Sequence, residues 1–188
     1  MLEFLVEIMN SRIKQIDISE KEREKEANTS EDVESMNVDA SFLEILNLSF
    51  EIKHEKDQIS KKMKKKISAI EVKMNNLFQN VTTSTEIEFD NIIALAVAYS
   101  NLGYIYVFKQ ENFHVGKDHL VKCMELLKGK ELHRKAILIA IEVLIELSEV
   151  WKILSQYENC YPLLDKAMEL YINYTKEEDE YPHPINVT

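Results

Sequence analysis

Residues that break helices are nearly missing from this chain, which has three glycines and three prolines in 188 residues. With so few glycines there is hardly material for a phosphate-binding loop, whose backbone must approach its ligand closely. Cysteine is scarce as well. Cys123 and Cys160 fall in helical segments and do not resemble a disulfide framework. Cys160 stands between Asn159 and Tyr161 with no adjacent His or Lys to favour a thiolate nucleophile. Positive charge is in deficit, with 23 Lys and Arg against 33 Asp and Glu and a net charge of −10. Such a chain repels a polyanion overall, which excludes a general nucleic-acid binder and suits a soluble cytosolic protein with a basic partner. The segment Met1–Leu5 carries an early acid and no basic flank, so no signal peptide is expected. Triplets such as Asn80-Val81-Thr82 and Asn173-Tyr174-Thr175 are then chance glycosylation matches.

What is present is helix-forming. Apolar residues make up 45% of the chain, and Leu, Ile, Lys and Glu are frequent, which favours an all-α protein. The apolar run Ile92–Phe108 approaches the roughly 20 residues of a membrane span. Ser100, Asn101 and Gly103 interrupt it, and a buried core helix is the expected reading.

The periodicity divides the chain into four parts. Residues 1–40 hold an amphipathic helix with Leu2, Leu5, Ile8, Met9, Ile13 and Ile16, followed by the charged stretch Glu20–Asp32, read as a disordered linker. Residues 41–80 form a helical hairpin, with Phe42, Leu43, Ile45, Leu46 and Phe50 lining one helix and Ile67, Ile70, Met74, Leu77 and Phe78 the other. Between them lies Lys61-Lys62-Met63-Lys64-Lys65-Lys66, readable as a nuclear-import signal, an anionic-surface patch or the solvated flank of a helix. Asn80–Thr85 is expected as a loop, with Thr85 and Glu88 forming a capping box for the next helix. Residues 85–176 carry two hairpins, with helices near 87–109, 113–127, 132–154 and 157–174, and residues 177–188 an acidic, proline-containing tail. Pro162 falls early in the last helix, where it costs little.

The two hairpins repeat. Lys122-Cys123-Met124-Glu125-Leu126 returns 44 residues later as Lys166-Ala167-Met168-Glu169-Leu170. A self-similar period of this order marks a solenoid of stacked units. The small-and-bulky pattern of tetratricopeptide repeats fits Leu144, Leu147, Ser148, Trp151, Cys160, Leu164 and Ala167 in one unit. Tyr99, Leu102, Gly103, Tyr106, Gly116, Leu120 and Cys123 fit it in the other, with one extra residue in that hairpin's loop. The expected fold is therefore antiparallel helical hairpins stacked as a tetratricopeptide-like right-handed solenoid.

Two stretches, His119–Leu127 preceded by Gly116 and Leu170-Tyr171-x-x-Tyr174-x-Lys176-Glu177, resemble the N-terminal tetratricopeptide region of the kinesin-binding (KIF-binding) family. The resemblance covers roughly residues 91–187 and extends weakly back to about residue 41. It implies a scaffold that clasps kinesin motor domains and blocks their grip on microtubules, with roles in organelle and axonal transport and in the cytoskeleton. Family proteins continue well past the position of Thr188, so an amino-terminal fragment, truncated paralogue or incomplete gene model is expected. No contact motif of the family is matched, so partner-binding residues are left unassigned.

No catalytic, cofactor-binding or metal-ligating residue is assigned. His119 and Cys123 are an i, i+4 pair, but no third and fourth ligand accompany them, and Cys123 aligns with Ala167 as a packing position. Glu142, Glu146 and Glu149 are read as an acidic stripe, solvated or facing a basic partner. Tyr99, Tyr104, Tyr106 and Phe108 are read as core. The expectation is a non-enzymatic, cytoplasmic, cytoskeleton-associated binding module, with a kinesin motor domain as protein partner. A generic adaptor or co-chaperone capturing an acidic tail is the alternative, weakened because the first helices of the two hairpins, near 87–109 and 132–154, offer only Lys109, Arg134, Lys135 and Lys152. The last helix, left without a successor, is expected to expose apolar surface around Tyr161, Leu164 and Met168 and to promote self-association.

Overall fold

The computed structural model describes residues 38–54, 61–83 and 87–180, which belong to one compact unit. Among them there is no strand. Six α-helices follow in order: α1 (Ala40–His54), α2 (Lys61–Thr83), α3 (Phe89–Tyr104), α4 (Phe113–Leu127), α5 (Arg134–Ile153) and α6 (Cys160–Glu180). The expected amphipathic helix at residues 2–18, the charged linker, Thr85 and residues 181–188 lie outside the described residues.

Each helix buries one stripe, and the stripes dictate the pairing. α2 turns Met63, Ile67, Ile70 and Met74 inward at helical spacing. Its partner α1 runs the opposite way, since Lys73 meets Glu44 at 2.6 Å and Lys66 meets Glu51 at 2.9 Å. α3 and α4 are likewise antiparallel, and they cross where side chains vanish. A Cβ on Gly103 would lie 2.5 Å from Leu120 Cδ2, and one on Gly116 would lie 2.5 Å from Val107 Cγ2 and 3.1 Å from the Gly103 carbonyl oxygen. α5 and α6 repeat this crossing with Ser148 and Cys160, the Cys160 thiol donating to the Ser148 carbonyl at 3.3 Å.

The hairpins sit side by side with like helices parallel. Asn91 donates to Asp39 at 2.8 Å and Asn101 to Ser49 at 3.0 Å, both at a separation of 52 residues, so α1 and α3 point the same way. α2 and α4 do the same through His119–Glu71 and Lys122–Asn75, 48 and 47 residues apart. The repeated pentapeptide plays one role twice. Cys123 and Ala167 are fully buried, Leu126 and Leu170 nearly so, and Glu125 and Glu169 are exposed. Lys122 reaches back to Asn75 on α2, and Lys166 to Glu131 just before α5.

The extra residue of the first unit is absorbed locally. Ile105–Lys109, at the end of α3, is a π-helical turn in which the Gln110 amide donates to Ile105 O at 3.1 Å. A π turn accommodates one inserted residue without disturbing the helix beyond it. The turns within the α3–α4 and α5–α6 hairpins each use a left-handed non-glycine residue, Glu111 at φ 54° and Ser155 at φ 59°.

Several sequence-based boundaries move. Lys61–Lys66 opens α2 itself, and α2 runs on through Thr83 where a loop from Asn80 was expected. The hydroxyls of Thr82 and Thr83 donate back to Phe78 O and Gln79 O, so these polar residues satisfy themselves inside the helix. α3 starts at Phe89, with Glu88 at the N-cap position, and the capping box expected between Thr85 and Glu88 falls with Thr85 outside the described residues. α6 begins at Cys160 after a 3-10 turn, Tyr157–Asn159, placing Pro162 in its first turn, and the acidic run to Glu180 continues the helix. On α1 the buried set is Phe42, Ile45, Ser49 and Ile52, while Leu43 and Phe50 are exposed. The one described segment apolar enough for a membrane span, Phe89–Lys109, is 72% buried among these helices.

Candidate functional site

Two polar clusters join the hairpins, and they differ in character. The first is closed. Glu71 projects from the buried side of α2 and accepts from Tyr106 Oη at 2.7 Å, with His119 Nε2 at 3.0 Å. Asn75, one turn on, accepts from Tyr99 Oη at 3.2 Å and from Lys122 Nζ at 2.8 Å. The Lys122 ammonium also lies over the rings of Phe78 and Tyr99. Burial raises the Glu71 pKa, but the hydrogen bonds from His119 and Tyr106 and the charges of His119 and Lys122 outweigh it and hold the carboxyl below its ordinary value. Burial first, and then Glu71, push the Tyr99 and Tyr106 phenols up.

His119 is thus turned toward Glu71 on α2. Its Nδ1 is buried and has no hydrogen-bond partner among the described residues. Cys123 is a free, fully buried thiol raised by desolvation and by Glu146 and Glu142. Among the described residues, no three His, Cys, Asp or Glu side chains converge as a metal set. Cys160 is also buried and free, its pKa raised by desolvation and nearby Glu149 and Glu158.

The second cluster is open and lies where α1, α3 and α5 meet. Lys53, in the last turn of α1, places its ammonium 5.0 Å from the Tyr104 ring centroid and 3.6 Å from Glu142 Oε1 on α5. Tyr104 packs on Phe108 with centroids 4.9 Å apart, and Phe108 is 46% exposed. Phe50 stacks on His54 at the end of α1. Lys109 Nζ donates to the carbonyls of Ile52 and Lys53, capping the negative end of the α1 dipole.

One turn along α5 from Glu142 is Glu146, only 8% exposed, whose Oε2 has no hydrogen-bond partner among the described residues. Desolvation, reinforced by Glu142 and opposed by Lys53, pushes its pKa up to about 8. The acidic stripe is therefore not a uniform solvated face. Glu142 and Glu149 are half-exposed, whereas Glu146 lies in the core and carries a proton at neutral pH. The reason is crowding: α5 buries eleven residues, Glu146 among them, so its apolar arc is too wide for three acids at these steps to stay outside it.

Other expectations resolve similarly. Tyr99 is core and Tyr106 half-buried, but Tyr104 and Phe108 form surface beside Lys53. On α6, Tyr161 is 57% exposed and Met168 half-buried, while Leu164 is buried and belongs to the α5–α6 contact, not to an uncovered face. Lys53 and Glu71 escaped notice as functional positions, and Tyr104 was read as core. Glu71 had a signal, an acid beside the apolar stripe Ile67, Ile70 and Met74. Lys53 had none, because its partners are set by tertiary offsets.

With this geometry in hand, the chain is similar to the KIF-binding protein of Homo sapiens, 30% identical over 90 residues. That match covers 48% of this chain and 14% of the relative, so the chain aligns with a small part of a much longer protein. No protein-family model matches the chain. No solved structure matches it.

Proposed function

We propose that this chain is a non-catalytic binding scaffold whose hairpins stack as a tetratricopeptide-like right-handed solenoid and hold a kinesin motor domain. In this reading it acts in the cytoplasm on motor attachment to microtubules, and so on organelle transport and cytoskeletal organisation, without spanning a membrane. The likeness to KIF-binding protein carries the reading. The parallel placement of α1 and α3 supports it, because a stack of parallel helices presents a continuous face to a large partner. That face, with Lys53, Tyr104, Phe108 and Glu142, combines aromatic anchors with acid, a composition suited to a basic protein surface.

The chemistry of α3, α5 and the turn after α3 disfavours the acidic-tail adaptor. Lys109 is engaged by α1 carbonyls, Lys135 by Asp90 at 3.0 Å, and Lys152 lies 3.9 Å from Glu149. A carboxylate clamp requires such cations to be turned toward the ligand. Capture by recombinant kinesin motor domains at low salt tests the proposal. Retention, weakened by Phe108→Ala, is expected, and absence of retention at low salt removes the motor from the reading.

A further inference from the structure

We propose that Glu142, Glu146 and the Tyr104 ring form a receptor for an arginine side chain on a basic protein partner, and that Lys53 holds this position in the unliganded chain. The inference rests on the α1–α3–α5 face being the binding face, as argued above, but not on the partner being a kinesin.

Three observations carry it. Glu142 and Glu146 are i, i+4 neighbours on α5, so their carboxyl groups lie on one face within reach of a single planar donor. Glu146 is more than nine-tenths buried, yet its Oε2 bonds to nothing among the described residues. A buried polar atom without a partner is costly, and once the carboxyl ionises that cost is recovered only by a group that brings a donor. Lys53 fails to do so. Its ammonium stands 3.6 Å from Glu142, well beyond the 2.6 and 2.9 Å of the Lys73–Glu44 and Lys66–Glu51 pairs, and it makes no hydrogen bond to Glu146.

A guanidinium fits where the ammonium does not. Its planar fork carries five donors, enough to bridge two carboxylates, and its face stacks on a tyrosine ring as a cation. Lysine, a point charge, already occupies the position over Tyr104 and leaves Glu146 unmatched. The net charge of −10 adds long-range attraction for a basic surface. Arrival of the guanidinium displaces Lys53 toward solvent and releases the Glu146 proton to buffer. The groups that face Glu146 are Glu142 on its own helix, Lys53 from α1 and Cys123 from α4.

The test is calorimetric titration of the full chain with a blocked tetra-arginine peptide at low salt. Saturable binding at pH 8 is expected, weakened roughly tenfold by Glu142→Gln and by Glu146→Gln, the size of a lost charge-assisted pair. Glu169→Gln, which removes the same charge from the exposed face of α6, is expected to change affinity by less than about twofold. Lys53→Gln tightens binding where Lys73→Gln does not, and tetra-lysine binds more weakly than tetra-arginine. Affinity rises roughly tenfold or more from pH 6 to pH 8 in the native chain and stays flat in Glu146→Gln. Absence of saturable binding overturns the proposal, as does equal weakening by Glu169→Gln and Glu146→Gln, or an unchanged pH profile. Tetra-arginine binding without kinesin capture would remove the motor and leave the receptor standing.

Discussion

Glu146→Gln should make this protein more stable at neutral pH, by about 3 kcal/mol. The carboxyl is buried in α5, and its folded-state pKa of about 8 stands above an ordinary value of 4.5. Between those values the folded chain holds a proton that the unfolded chain has released. Unfolding is then favoured as pH rises, by about 1.4 kcal/mol per pH unit. At pH 7 the accumulated cost is about 3 kcal/mol, and it stops growing above pH 8. Glutamine keeps the shape and the polar head but has no proton to lose, so the cost disappears. For a domain of this length, about 3 kcal/mol corresponds to a rise in Tm of roughly 6–12 °C. The assay is thermal unfolding followed by circular dichroism at pH 5, 6, 7 and 8 for the native chain and the variant. The two Tm values should lie close together at pH 5 and separate steadily to pH 8. Parallel curves across that range would show that Glu146 is not a neutral, desolvated acid.

Three further substitutions probe the stack. Gly116→Ala places a methyl 2.5 Å from Val107 Cγ2 and 3.1 Å from the Gly103 carbonyl. It should cost about 2–3 kcal/mol in urea unfolding, since the backbone there has no room to yield. Glu71→Ala strips the acceptor from Tyr106 and His119, and should lose about 2–4 kcal/mol, with faster amide exchange concentrated in α1 and α2 rather than α6. Because the Glu71 pKa is held below 4.5 in the fold, its contribution is present above that value and fades as pH falls through the lowered one, the reverse of Glu146. Ser155→Gly relieves a left-handed residue at φ 59° and should raise stability by about 1 kcal/mol in the same urea measurement.

The hairpins of the second half were legible because they rest on local chemistry. Scarce breakers, helical spacing and the repeated pentapeptide placed α3 to α6 within a few residues, and the pentapeptide's burial pattern recurs as its repetition implied. The pairing of small residues at helix crossings was legible too, because Gly103, Gly116, Ser148 and Cys160 announce close approach by size alone. Ends were harder. Thr82 and Thr83 read as loop, but hydroxyls that bond to the preceding turn are at home in a helix. The Lys61–Lys66 run hid a helix start, because four exposed or half-exposed lysines mask the buried Met63 beneath them. Once Met63 and Ile67 are fixed in the core, that run cannot be read as an extended peptide, and the solvated-flank reading is the one the helix matches. The candidate site was least legible. Whether an acid on α5 faces water or core is set by the width of the buried arc, and the meeting of Lys53, Tyr104 and Glu142 depends on how three separate helices register.

The two clusters differ in how their polar groups are satisfied. Contacts that dock one hairpin on the next are short: Asp39 with Asn91 at 2.8 Å, Ser49 with Asn101 at 3.0 Å, and Glu71 with Tyr106 at 2.7 Å and with His119 at 3.0 Å. Removing one partner strands another buried group, so these contacts resist change. At the α1–α3–α5 face the arrangement is reversed. The ion pair is long, the aromatic ring is half-exposed, and a buried acid goes without a donor. Among the described residues the two buried polar atoms without a partner are His119 Nδ1, on a ring already held by Glu71, and Glu146 Oε2, on a carboxyl held by no hydrogen bond at that oxygen. The free energy withheld there, about 3 kcal/mol at pH 7 by the linkage argument, becomes available to whatever supplies the missing donor. The same residue that weakens the isolated chain therefore strengthens the complex, and Glu146→Gln should raise Tm while lowering affinity, an opposition that a purely structural acid would not produce.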